Sequence, residues 1–146
     1  MNRSTIPLDV AIVAADDVEP NRRHGGAIRV LLSPSSVTTT AGFMALFDLE
    51  PGEHATEHYH PYSDEHVVVT AGELVVVVNG VETKLGPREA ALIRRGARHR
   101  YENRGQERAT AVLFLGPLAP RPDMGHVETE DVAHAELAPP SVGEAP

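Results

Sequence analysis

The stretch Leu74-Val75-Val76-Val77-Val78-Asn79-Gly80-Val81 does most to limit what this chain can become. A short β-branched run is a poor helix and a good strand. Asn-Gly is the dipeptide that best tolerates the two positive φ angles of a type I′ turn, so this run is expected to fold back onto Val81–Leu85 as a hairpin. The same grammar repeats. Ala27–Leu32 ends at Ser33-Pro34, Gly42–Leu49 stops at Pro51-Gly52, and Val67–Val69 runs to a turn at Ala71-Gly72. Ala90–Ile93, Arg98–Asn103 and Ala109–Leu115 complete the series. Short strands at even intervals, with no sustained helical period, predict an all-β sandwich or barrel. With 146 residues, 41% of them hydrophobic, one domain with its own core is expected.

Chemistry concentrates between Gly52 and Gly72, where His58, His60 and Glu65 follow one another closely and His99 lies further on. Two histidines separated by one residue face the same way only on an extended backbone. Their imidazoles can then share one cation, with Glu65 joining from a neighbouring strand after a turn at Pro61-Tyr62-Ser63. A single β-bulge between residues 61 and 66 would turn His66 inward instead of Glu65, so the fourth ligand is one of these two. In the second case Glu65 becomes a base beside the site. His54 shares the inward parity of His58 and His60 but lies about 13 Å along the strand, which suits a cavity wall better than a ligand. Alternation alone would also pair two histidines on a solvated strand; it is the added register of Glu65 and His99 that favours a metal. The chain has no cysteine, so thiolate sites and disulfides are excluded. His24, His126 and His134 fall in loop or tail sequence and are expected to be solvated.

The frame Gly-x5-His-x-His-x4-Glu-x6-Gly over residues 52–72 resembles the first motif of the cupin superfamily, and Arg94-Arg95-Gly96-Ala97-Arg98-His99 with Asn103 resembles the second. Arg94 stands where cupins usually carry proline, and the glycine opening the second motif is displaced, with Gly86 ahead of Arg88. The resemblance implies a double-stranded β-helix, or jelly roll, with His58, His60, Glu65 and His99 as ligands. Narrower segments resemble the small cupin cyclases of bacterial aromatic polyketide pathways: residues 17–26, Ile28–Pro34, Glu57–Ser63, Pro117–Pro122 and Gly125-His126-Val127. That likeness spans roughly residues 17 to 130. It implies a homodimeric enzyme that closes a ring in a poly-β-ketone, carried on an acyl carrier protein, by intramolecular aldol condensation and dehydration. Such an enzyme would need an apolar cavity, for which Phe43, Phe47, Val67 and Val69 are candidates, with Tyr62 and Tyr101 as hydrogen-bond donors. It would also need a base, either Glu65 or a water on the metal. Nitrogen-rich ligation and non-redox carbonyl chemistry favour Zn2+ over Fe2+, Ni2+ or Mn2+. Iron would point instead to a dioxygenase, and a non-catalytic small-molecule-binding cupin is a third reading, although no effector domain accompanies it.

Residues 1–116 are read as the cupin domain with an N-terminal arm, and 117–146 as a Pro-rich acidic tail. The tail holds six of the twelve prolines and one arginine against six acidic residues, a net of −5, and Leu137–Pro146 is expected to be disordered. The formal charge of −8 argues against a nucleic-acid partner. Arg22, Arg23, Arg94, Arg95, Arg98 and Arg100 are candidates for a local patch that receives an anionic ligand. No run approaches the roughly 20 apolar residues of a membrane span, and the first residues lack a signal-peptide core, so a cytoplasmic protein is expected.

Overall fold

Asn79 and Gly80 both adopt positive φ, 49° and 81°, and close the hairpin that the dipeptide predicts. The computed structural model describes residues 8–143. Ten strands follow in chain order: β1 Ala27–Leu32, β2 Phe43–Leu49, β3 His54–Tyr59, β4 Asp64–Ala71, β5 Leu74–Val78, β6 Val81–Leu85, β7 Ala90–Ile93, β8 His99–Glu102, β9 Ala109–Gly116 and β10 Val127–Glu128. Between β1 and β2, Ser33 caps the one-turn helix α1, Pro34–Val37. Among the described residues no helix is long and apolar enough to cross a membrane.

The strands form two five-stranded antiparallel sheets, ordered β1-β2-β9-β4-β7 and β10-β3-β8-β5-β6. Late strands lie between early ones in both sheets, which is the connectivity of a jelly roll. The alternation in β9 sends Ala109, Ala111, Leu113 and Leu115 inward, and β2 contributes Ala45, Phe47 and Leu49. These residues meet Leu74, Val76, Leu85 and Ile93 to fill one core. Val67 and Val69, expected along the cavity wall, do point inward but belong to this closed core. They sit about 7 and 13 Å along β4 from Glu65, beyond the open end of the sandwich.

Residues 117–143, read from sequence as a tail, run back over the body. Val127–Glu128 extends the second sheet as β10 against β3. Asn21 Nδ2 donates to Ala138 O at 2.8 Å, Arg23 Nη1 to Leu137 O at 2.6 Å, and Ser35 N to Val142 O at 3.1 Å. The last stretch, expected to be disordered, is therefore placed against the sandwich as far as Gly143; residues 144–146 and 1–7 lie outside the described residues.

Asn103, noted in sequence as part of the second motif, is a buried tie. Its Nδ2 donates to Leu49 O at 2.9 Å and Glu107 O at 2.8 Å, while its Oδ1 accepts from Gly105 N at 2.9 Å. Asn103→Ala leaves buried backbone groups unpaired and is expected to cost about 3 kcal/mol, lowering Tm by roughly 10 °C. Metal content should be unchanged, as checked by calorimetry and elemental analysis.

Candidate metal centre

The open end of the sandwich brings four predicted ligands together. His58 on β3 pairs directly with His99 on β8, and cross-strand partners share a face. His60 lies two residues beyond His58, with the same parity. Glu65 reaches them from the facing sheet rather than from a neighbouring strand, because the bend at Pro61–Ser63 carries the chain from one sheet to the other. The ligand atoms of His58, His60, Glu65 and His99 all lie within 4.8 Å of one another, and all four residues are buried.

Strand register decides which way Glu65, His66 and His54 point. β4 pairs with β7 and β9 without a shift from Glu65 to Val68, so no bulge intervenes and Glu65 faces inward. His66 is exposed on the outer face, its Nδ1 3.4 Å from Phe114 O, and is not near the ligand group. The β3–β8 ladder does shift, between Ala55 and His58. That irregularity reverses parity upstream: Ala55 points in and His54 points out, so His54 leaves the cavity wall and borders a surface hollow with Glu102 and Arg104. Tyr62 sits in the bend at 36% exposure and also misses the cavity.

Each of the three candidate histidines is oriented from behind. His58 Nδ1 donates to Thr56 O at 2.8 Å, His99 Nδ1 to Ala97 O at 2.9 Å, and His60 Nδ1 to Gly125 O at 2.9 Å. A carbonyl only accepts, so Nδ1 carries the hydrogen in each ring and a neutral ring presents Nε2 as a lone pair. His60 Nε2 faces Glu65 Oε1 and His99 Nε2 faces Glu65 Oε2, both at 3.4 Å, and neither nitrogen has a hydrogen-bond partner. Two acceptors held this way repel unless a proton or a metal cation lies between them. A separation of 3.4 Å also suits two ligands each about 2.1 Å from one ion. The four residues therefore fit a divalent metal.

The electrostatics agree. Burial alone would raise the Glu65 carboxyl, but His99 and His60 outweigh it and hold it well below the usual carboxylate range. Burial, then His99, His126 and His60, push His58 well below the ordinary imidazole value. For His99, burial is overcome by the nearby negative charge of Glu65, and the pKa rises above 6.5. In the metal-free protein that raised value adds stability fully below pH 6.5, lost as pH climbs through the folded pKa. An arriving metal must displace this proton. Affinity is expected to weaken by up to about tenfold per unit as pH falls below the His99 pKa, with proton release visible as buffer-dependent binding heat. A flat affinity between about pH 6 and 8 would contradict the assignment.

Tyr101, half of the pair expected to donate to substrate, is buried and gives its hydroxyl to Glu65 Oε2. Burial and the adjacent carboxylate raise its pKa well above 10, so the hydroxyl stays protonated. Its evident role is to fix the carboxylate. Tyr101→Phe keeps the ring and is expected to weaken metal binding about 10- to 100-fold, measured by competition with a chromogenic chelator.

The sequence reading missed two histidines. His24 and His126, expected in solvent, line the same cavity. The His126 ring stacks between His24, at 4.5 Å and 28°, and His58, at 4.3 Å and 18°. Burial and the surrounding imidazoles lower His126 to about 3. The alternation His126-Val127-Glu128 is the signal for a further strand bearing ligand-type side chains, but two residues are too few to read as one. Of the arginines considered for an anionic-ligand patch, Arg23 pairs with Glu128, Arg95 with Asp64, and Arg100 with Glu130 and Glu102.

Above the ligands lies a cavity of ≈ 360 Å³. Phe43, Phe47, Leu113 and Leu115 form its apolar wall, and Leu118, Pro139 and Val142 of the returning segment close one side.

Comparison with known proteins gives a consistent picture. The cupin domain family matches residues 45–115. Tetracenomycin polyketide synthase protein TcmJ of Streptomyces glaucescens is 51% identical over 133 residues, covering 91% of this chain and 89% of its own. Protein SchB of Streptomyces halstedii is 50% identical over 131 residues, with 90% and 94% covered. Polyketide synthase CurC of Streptomyces cyaneus is 46% identical over 119 residues, with 82% and 77% covered. Among solved structures, a protein of Klebsiella pneumoniae with a double-stranded β-helix domain superposes with a TM-score of 0.67 at 22% identity, covering 84% of this chain and 99% of its own. A predicted oxalate decarboxylase of Thermotoga maritima gives 0.65 at 23% identity, with 74% and 100% covered. At these identities the structures speak to fold alone.

Proposed function

The chain belongs to the cupin family, and from that premise we propose that it is a metal-dependent polyketide cyclase. It folds a poly-β-ketone and directs one intramolecular aldol closure and dehydration toward an aromatic ring. The observation that carries this reading is the pair of unpartnered Nε2 atoms facing the Glu65 oxygens, next to an apolar cavity. Relatives described as polyketide synthase proteins, at 51% and 46% identity, supply the substrate class.

His58, His60, His99 and Glu65 would hold the ion, and Zn2+ suits this imidazole-rich set ahead of Fe2+, Ni2+ or Mn2+. A bound divalent ion supplies Lewis acidity toward a ketone oxygen. The chain's own contribution is largely positioning. Phe43, Phe47, Leu113 and Leu115 offer a wall against which many equivalent methylenes and carbonyls can be held in one fold, so that a single pair reacts. The segment carrying Pro139 and Val142 helps exclude water. Glu65, held ionised with little affinity for a proton, serves better as a ligand than as a base, so a water at the site would take the methylene proton. The same proposal includes a homodimer in the cytoplasm that receives its substrate from an acyl carrier protein.

The test is to add the purified protein to a minimal synthase that releases an uncyclised poly-β-ketone. One regiospecific aromatic product should replace the spontaneous mixture. An unchanged mixture would contradict the cyclase reading.

A further inference from the structure

Beside the four-ligand group a second set of ligand-type side chains converges. The ligand atoms of His24, His126 and Glu128 lie within 4.8 Å of one another. His24 Nδ1 and His126 Nε2 are both buried without hydrogen-bond partners, and His24 Nδ1 stands 3.7 Å from Glu128 Oε1. Buried polar atoms are rarely left in this state.

The backbone explains why they meet. Glu128 lies opposite His58 in the β10–β3 register, and His58 lies opposite His99 in the β3–β8 register. Cross-strand partners project from one face, so Glu128, His58 and His99 form a row at the roughly 4.8 Å spacing of strands. His126 precedes Glu128 by two residues and keeps its parity. His24 comes from the turn before β1, where its carbonyl accepts from Thr56 N at 2.9 Å. Gly25 presses that turn onto β3: with φ at 95°, a Cβ there would stand 2.0 Å from His54 O. Simple ring stacking accounts for the His24–His126 contact of 4.5 Å, but not for two buried nitrogens that converge with a carboxylate.

We propose that His24, His126 and Glu128 form a second divalent-cation site, one strand spacing from the first and open to the same cavity. Two imidazoles and one carboxylate select a borderline ion such as Zn2+, Co2+ or Ni2+. Repulsion from the first ion and from Arg23, whose Nε lies 3.6 Å from Glu128 Oε1, makes the second site the weaker one. The order of the two affinities, though not the second site itself, rests on the reading of the first group as a metal centre.

Metal-stripped full-length protein is titrated with Co2+ and with Zn2+, followed by calorimetry and by Co2+ absorption. Two equivalents are expected, the second at least tenfold weaker. His24→Ala and the conservative Glu128→Gln should each remove the weak equivalent and leave the strong one, with Tm confirming that both variants fold. His99→Ala should do the reverse. A single strong equivalent in the wild type, or a weak equivalent that survives both His24→Ala and Glu128→Gln, overturns the second site. Loss of the strong equivalent in Glu128→Gln also overturns it, since the residue would then belong to the first site. A single weak equivalent, abolished by His24→Ala, would instead overturn the first-site reading while keeping the second.

Discussion

His99→Ala should lose the metal and ring closure together. His99 is 1% exposed, its Nδ1 is fixed by Ala97 O, and its Nε2 aims at Glu65 Oε2. The substitution removes one of three imidazoles and also the chief cationic partner that keeps the Glu65 carboxylate ionised in the dark interior. Burial then favours the protonated acid, which is a poor ligand. Loss of Lewis-acid assistance worth several kcal/mol corresponds to about a 1,000-fold fall in cyclisation rate. His58→Ala should behave alike, because His58 pairs with His99 across the β3–β8 ladder. Elemental analysis together with product assay checks both variants, and retained activity in the two would defeat the metal mechanism.

Glu65→Gln against His66→Ala gives the second large contrast. These adjacent residues point to opposite faces of β4, one 2% exposed among the ligands and the other on the outer surface. Glutamine keeps the size of Glu65 but removes its charge, so metal affinity should fall about 100-fold. His66→Ala touches nothing in the group and should leave metal content and activity as they were. Chelator competition on the two variants would show the opposite order only if β4 were shifted by one residue.

That register question shows where sequence reasoning reached its limit. Strands are legible because each carries its own punctuation: Asn79-Gly80, Ser33-Pro34 and Pro51-Gly52 mark ends without reference to the rest of the chain. The β1, β5, β6 and β7 boundaries accordingly agree with the pattern. The shared face of His58 and His60 is legible for the same reason, since parity is local, whereas spacing alone leaves Glu65 and His66 as alternatives. Bulges are not local. The shift between Ala55 and His58, set by pairing with β8, turned His54 outward, while the absence of a shift before Val68 kept Glu65 inward. Depth is not local either, which is why inward-facing Val67 and Val69 prove to be core rather than cavity. His24 and His126 depend on contacts between distant segments, and β10 at two residues leaves no period to read.

The most direct test of the central claim is ring closure by metal-stripped protein under argon, before and after Zn2+ is returned. The account expects the stripped protein to give only the spontaneous product mixture, and one equivalent of Zn2+ at the strong site to restore the single regiospecific product without oxygen. The same regiospecific product from fully stripped protein would contradict it.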